Sequence, residues 1–380
     1  MQVILGVLFH FIGGFASGSF YMPYKKVKGW SWESLWIVGG LFSWLIVPPI
    51  AAWLTIPGFM DIITSSDSST LGSTYVMGLL WGIGGLTYGL GVRYLGVALG
   101  SSIILGLCSF FGALVPSFYY YFYPKEGKDT IADLVGNSWG QMVLAGLGLC
   151  IVGIIICGIA GKKKDNDLGH SHKDASGSEF YIVKGLILAV ISGVLSACFS
   201  FGIEAGSAMG EVANGNWKAA NPLAQGEYLF KNNVIFVVIL WGGLTTNFIW
   251  CMILNARNKS FGDYTNTKTP ITKNYLLCAL AGTTWFLQFF FYGMGESKMG
   301  NNASSWILHM SFIILVANMW GILLKEWKGV NEKTTRTIAV GIFTIILSVL
   351  TVGYGNYLHD KLKNEKVLAY VSCNKNIQTR

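Results

Sequence analysis

Long apolar runs recur along this chain with short polar breaks between them, and none of the runs alternates strictly between apolar and polar positions. Ten runs reach the roughly 20 residues that cross about 30 Å of hydrocarbon as a helix. They are 3–23, 34–54, 72–93, 97–123, 139–160, 181–203, 233–256, 273–295, 301–324 and 335–357. Barrel strands would instead alternate over roughly ten residues, and only helices or closed barrels satisfy their backbone groups in lipid. The pattern predicts an all-α membrane protein with ten transmembrane helices. Residues 1–23 are expected as a retained first helix, because Lys25, Lys26 and Lys28 follow the apolar run where a signal peptide would carry its basic segment in front.

Two stretches repeat each other. Trp81, Tyr88, Gly89, Gly91 and Gly96 match Trp285, Tyr292, Gly293, Gly295 and Gly300 at one constant offset, and Ser101 then meets Ser305. A weaker echo sets Gly6, Gly14, Ser17 and Phe20 against Gly185, Gly193, Ser196 and Phe199. A five-helix half is odd in number, so a second copy enters the membrane upside-down relative to the first. The expected organisation is therefore two inverted five-helix repeats, residues 1–160 and 181–357. A polar cytoplasmic linker at 161–180 joins them, and a polar tail follows at 358–380. In secondary transporters built this way, the substrate site lies between the halves.

Composition fits the membrane reading. Charged residues make up 12% of the chain and hydrophobic ones 52%, with a mean hydropathy of +0.50, against about 25% charged in soluble proteins. The net charge of +8 does not form a nucleic-acid patch. Most Lys and Arg residues fall in loops after odd-numbered spans: Lys25, Lys26, Lys28, Arg93, Lys162 to Lys164, Arg257, Lys259, Lys325 and Lys328 are among them. The positive-inside rule places those loops in the cytoplasm and both termini outside. Six of the seven cysteines lie within predicted helices and none forms a C-x-x-C pair, so they read as small buried apolar residues. His170 and His172 in the linker lack further ligands for a metal. There is no P-loop, H-E-x-x-H or G-x-S-x-G motif. No enzymatic activity, metal or cofactor is expected.

The candidate chemistry lies inside the spans. Trp81 and Trp285 fall near the middle of theirs, whereas membrane tryptophan normally sits at the interface, as Trp30, Trp32 and Trp36 are expected to do. Trp285, Gln288 and Tyr292 stand at i, i+3 and i+7 on one helix face, and Trp81 and Tyr88 repeat the i, i+7 relation. Aromatic rings beside a carboxamide suit a sugar, which offers C–H faces for stacking and hydroxyls for hydrogen bonds. The alternative is an aromatic packing stripe. His10 and His309 are the two histidines within spans, each roughly 10–12 Å below the outer end at about 1.5 Å per residue. An imidazole titrates near pH 6.5 in water, and buried ionisable groups in a bilayer mark ion pathways. His309 is the first candidate for proton coupling and His10 the second, against a structural role for both. Asn302 shares a face with Ser305 and His309 and joins the candidate lining. Glu33, Glu204 and Glu296 fall near helix ends and are expected to be solvated.

Together the segments Phe20-Tyr-Met-Pro-Tyr-Lys-Lys-Val-Lys-Gly-Trp-Ser-Trp-Glu33, Trp81-Gly-Ile-Gly84, Arg93-Tyr-Leu-Gly96, Trp285-Phe-Leu-Gln-Phe-Phe-Phe-Tyr292 and Ser305-Trp-Ile-Leu-His-Met-Ser-Phe312 resemble the L-rhamnose–proton symporter family of the drug/metabolite transporter superfamily. The resemblance runs over about residues 4–357. It implies a proton-driven importer of L-rhamnose or a related methylpentose in the bacterial inner membrane, with sugar, protons and membrane lipid as partners. Transport of another small metabolite and a non-transporting sugar receptor are the alternatives.

Overall fold

The computed structural model describes residues 2–124, 129–168, 181–224, 226–299 and 302–378, and every regular element among them is a helix. The long helices are α1 (Gln2–Ser19), α2 (Trp32–Thr55), α3 (Ser68–Leu95), α4 (Val97–Phe122), α5 (Ser138–Asp167), α6 (Ile182–Ala205), α7 (Asn233–Asn258), α8 (Ile271–Met299), α9 (Asn302–Leu323) and α10 (Glu332–Gln378). Among the described residues nine stretches are long and apolar enough to cross a membrane, the first being Ile4–Tyr24 across α1 and a short following helix. The expected span 301–324 falls on α9, whose described apolar part, Leu308–Leu323, is shorter. Large apolar side chains stay exposed on the outer helix faces: Phe11 and Phe15 on α1, Ile155 and Ile159 on α5, Ile187 on α6, Phe343 on α10. Such a girdle belongs against lipid, and the chain is a multi-pass membrane protein.

Local chemistry sets the helix ends. Asp67 caps α3, its Oδ1 accepting from the backbone N–H groups of Ser69 and Thr70 at 2.9 and 2.8 Å. Between α3 and α4 the chain turns on Gly96 alone, at φ +86°, a conformation that favours glycine. Within α2, Pro48 and Pro49 lack the N–H groups that would reach back one turn, and the preceding stretch Leu41–Ile46 widens into a π-helix.

Helix neighbours recur in an exchanging pattern. α1 packs on α8 and α9, while α6 packs on α3 and α4; α2 packs on α8, while α7 packs on α3; α5 packs on α10. The last of these seams is lined by small residues, with Gly146 and Gly153 against Ser348 and Ile345, as close helix contact in lipid requires. Loop contacts sort into two ends. At one, Asp167 accepts from Thr334 Oγ1 at 2.7 Å and Tyr94 O accepts from the Tyr181 N–H at 3.0 Å. At the other, Asn233 Nδ2 donates to Thr55 Oγ1 at 2.9 Å and His359 meets Asp129 at 3.3 Å.

Three expectations of solvated or interfacial placement are corrected here. Glu33 is buried and accepts hydrogen bonds from Asn258 Nδ2 at 2.9 Å and Ser260 Oγ at 2.6 Å. The Glu296 carboxylate accepts from the Asn232 amide. Trp36 is buried, and its indole N–H donates to Asn247 Oδ1 at 2.8 Å. In each case a polar partner from a distant segment takes the place of water.

Candidate functional site

At the centre of the bundle the two copied segments meet. Trp81 of α3 and Trp285 of α8 lie with ring centroids 5.4 Å apart at 37°. Trp44, carried by the π-helical part of α2, stands edge-on to both, at 6.4 and 5.9 Å. These indoles border a cavity of about 80 Å³. Gln288 joins Trp285 on its wall, one turn further along α8, and Tyr88 joins Trp81 two turns along α3. The Tyr88 hydroxyl is bonded to Ser101 Oγ at 2.8 Å. The echo between α1 and α6 reappears as chemistry, because Ser17 and its counterpart Ser196 both line the cavity.

The lining thus includes Trp81, Tyr88, Trp285 and Gln288 from the sequence-derived candidates. Tyr292 is placed outside the wall, fully buried one turn beyond Gln288. Asn302 opens α9, but its side chain lies outside the described residues, as do His170 and His172 altogether. Three lining tryptophans escaped the sequence reading: Trp36, Trp44 and Trp306. Their signals were weak, one beside interfacial tryptophans, one next to a Pro-Pro pair, one inside an unremarkable apolar run. Among the described residues, the buried Trp44 and Trp306 indole N–H groups have no hydrogen-bond partner. An unpaired donor in a buried site costs free energy until a ligand accepts from it. Stacking faces with a few donors and hydroxyls around a small cavity are the means of binding a polyol.

Nearer the even-loop end, His10 of α1 and His309 of α9 come together, both buried, with ring centroids 5.8 Å apart. Among the described residues none of their four ring nitrogens has a partner. Tyr292 lies 5.5 Å from His10 and 5.4 Å from His309, within the range at which an aromatic ring attracts a cation. On its other side Tyr292 meets Trp306 edge-on at 5.7 Å, so a chain of touching rings runs from the histidines to the cavity wall. Glycine makes the room. A Cβ on Gly295 would stand 2.7 Å from the His10 ring, and one on Gly13 would stand 2.9 Å from His309 Cε1. At the offsets of the two repeats, the positions matching His10 and His309 are Ala189 and Leu105. The imidazole pair therefore occurs in one of the two related places only.

The sequence matches the family model described as L-rhamnose-proton symport protein (RhaT) over residues 1–357. It is 36% identical over 359 residues to the L-rhamnose-proton symporter of Pectobacterium carotovorum subsp. carotovorum (strain PC1), covering 93% of this chain and 98% of that protein. The protein of the same name from Pectobacterium atrosepticum is 37% identical over 358 residues, and that from Yersinia pestis (strain Pestoides F) 36% over 358, with the same coverages.

Proposed function

Because the chain belongs to the L-rhamnose–proton symporter family, we propose that it carries L-rhamnose, or a related methylpentose, together with a proton into the cell across the bacterial inner membrane. The observation that carries the site assignment is the contact between Trp81 and Trp285, which draws the two copied segments around one cavity. The sugar stacks on these indoles. Gln288 and the unpaired Trp44 and Trp306 N–H groups bond its hydroxyls, a role shared by Ser17 and Ser196. Tyr88 and Tyr292 support the two faces, and Asn302 belongs to the same lining.

The proton binds at His309 with His10 beside it. A charge at that depth is tolerated because the second imidazole and the Tyr292 ring lie within 6 Å. Tyr292 and Trp306 then connect the charge to the sugar, so that occupancy of one site changes affinity at the other. Five helices from each half, residues 1–160 and 181–357, form two inverted repeats about the cavity, joined by a cytoplasmic linker at 161–180. The exchange of neighbours between α1 and α6, and between α2 and α7, supports this arrangement. A polar tail follows at 358–380.

Uptake by proteoliposomes tests the reading. Rhamnose should accumulate under an inward proton gradient and cease to do so when a protonophore is added. Accumulation indifferent to the protonophore would dismiss proton coupling, and binding without any accumulation would leave a receptor.

A further inference from the structure

Beyond the histidine pair, toward the even-loop end, α8 carries a further titratable group. Glu296 stands one turn after Tyr292, whose ring lies 5.5 Å from His10 and 5.4 Å from His309. Its chain neighbour Gly295 passes so close to His10 that an added Cβ would stand 2.7 Å from Nε2. That nitrogen is buried and has no partner among the described residues. The Glu296 side chain is partly buried, and its carboxylate accepts from the Asn232 amide just ahead of α7. Among the described residues it forms no ion pair. The adjacent ammonium of Lys231 is bonded instead by Glu227 at 2.8 Å and Glu211 at 3.2 Å, two side chains open to solvent. The charged and titratable groups around Glu296 are Tyr292 and Lys298 on α8, Lys231 and Glu227 before α7, Glu211 on the short helix Ser207–Ala220, His10 on α1 and His309 on α9. At the repeat offset the position matching Glu296 is Val92, buried and apolar. The acid therefore occurs only in the related place that also holds the imidazoles.

Resting on the proton-coupled reading above, we infer that Glu296 is the entry group for the proton, taking it from water at the even-loop end and handing it to the His10–His309 pair. The transfer has two steps. A hydronium proton bonds to a carboxylate oxygen, which releases water and leaves a neutral carboxyl. The lone pair of an imidazole nitrogen then takes that proton, forming an N–H and restoring the carboxylate. Lys231 cannot serve, because an ammonium held between two carboxylates has no lone pair to offer. Passing the proton as a neutral carboxyl avoids an unpaired charge in the partly buried stretch between water and the rings. Such a relay governs how fast protons enter, whereas the imidazoles govern how many enter with each sugar.

Glu296→Gln separates a relay from packing, since the carboxamide oxygen can still accept from Asn232 at nearly unchanged volume. Rhamnose is added to weakly buffered, de-energised cells that express the full chain, and sugar entry and external pH are followed together. Both initial rates should fall about a hundredfold in the variant, with protons per rhamnose unchanged. Exchange of labelled rhamnose in preloaded cells should stay at the wild-type rate, because the proton need not leave the carrier. Glu296→Asp keeps the carboxyl and should stay much nearer to the wild type. A Gln variant that moves protons at the wild-type rate would overturn the assignment. So would one that fails to insert or loses exchange in proportion, or an Asp variant as slow as Gln, because the side chain would then act through packing. A changed number of protons per rhamnose would also overturn it, making Glu296 the coupling site itself. A wild type that moves no proton with rhamnose would instead remove the reading on which the assignment rests.

Discussion

The imidazoles of His10 and His309 approach to a centroid separation of 5.8 Å, although they come from the first and ninth long helices. Each brings two ring nitrogens without a partner among the described residues. Buried polar atoms are ordinarily satisfied, and it is to this unsatisfied pair that the proposed function assigns the proton. The related positions Ala189 and Leu105 carry no titratable group. In the proposed arrangement, proton binding is thus confined to the outer half, where an importer meets the proton first.

Gly295 should be far less tolerant of a side chain than its repeat counterpart Gly91. An added Cβ meets three atoms of the His10 ring within 2.9 Å at Gly295, but at Gly91 only the flexible end of Ile104, at 3.0 Å, and Ala189 beyond it at 3.8 Å. Overpacking of this kind costs about 1–3 kcal/mol. Thermal unfolding in detergent is expected to show a clear loss for Gly295→Ala and little change for Gly91→Ala. Rhamnose uptake should fall with the former alone. Equal behaviour of the two variants would show that the His10 ring moves aside without cost.

Trp285→Phe and Gln288→Ala are each expected to weaken rhamnose binding by tenfold or more while the protein remains folded and inserted. The first trims a stacking face, and the second removes a carboxamide from a wall with few polar groups. Calorimetric titration of the purified variants measures this. Wild-type affinity in both would return the Trp81–Trp285 pair to packing.

At the even-loop end, Lys231 bonds Glu227 at 2.8 Å and Glu211 at 3.2 Å. Burial alone would lower the ammonium's pKa, but the Glu227 bond and the charges of Glu296, Glu227 and Glu211 outweigh it and hold the group above the ordinary lysine value. Burial pushes the Glu211 carboxyl up, but the Lys231 charge and hydrogen bonds to Lys231 and Asn214 hold it below the usual carboxylate range. A raised lysine pKa stabilises the fold below the unfolded value near 10.4 and is lost as pH rises through the folded one. A lowered carboxylate pKa stabilises above about 4.3 and is lost as pH falls. Lys231→Met should therefore cost about 1 kcal/mol between roughly pH 5 and 10, and the difference from wild type should shrink outside that window. Stability measured across pH decides it; a pH-independent difference would mean that the side chain acts through packing.

Reporter fusions test the topology. A reporter within 161–180 is expected in the cytoplasm and one after residue 380 outside. A cytoplasmic signal from both would mean that one of the expected crossings is wrong, with α9 and its short apolar part the first suspect.

How much of this was legible in the chain differs from residue to residue. The helices follow from apolar runs because lipid leaves the backbone no other partner than its own helix. Trp285 and Gln288 were placed on one face by spacing alone, and the structure sets both on the cavity wall. Trp44 was not legible, since its direction depends on the π-helical widening ahead of Pro48 and Pro49. Trp36 and Glu33 were read as belonging near the surface because both lie close to a helix start. Their partners Asn247, Asn258 and Ser260 come from α7 and the turn after it, and a local pattern carries no trace of so distant a contact. The meeting of His10 with His309 was hidden for the same reason: equal depth was readable, adjacency was not.

Proton movement caused by the sugar itself tests the central claim most directly. Rhamnose is added to weakly buffered, de-energised cells that express the chain, and the external pH is recorded. The wild type should alkalinise the medium as sugar and proton enter together, whereas His309→Gln should exchange labelled rhamnose without moving the external pH. No alkalinisation by the wild type during rhamnose entry, or an undiminished one by His309→Gln, would contradict the account.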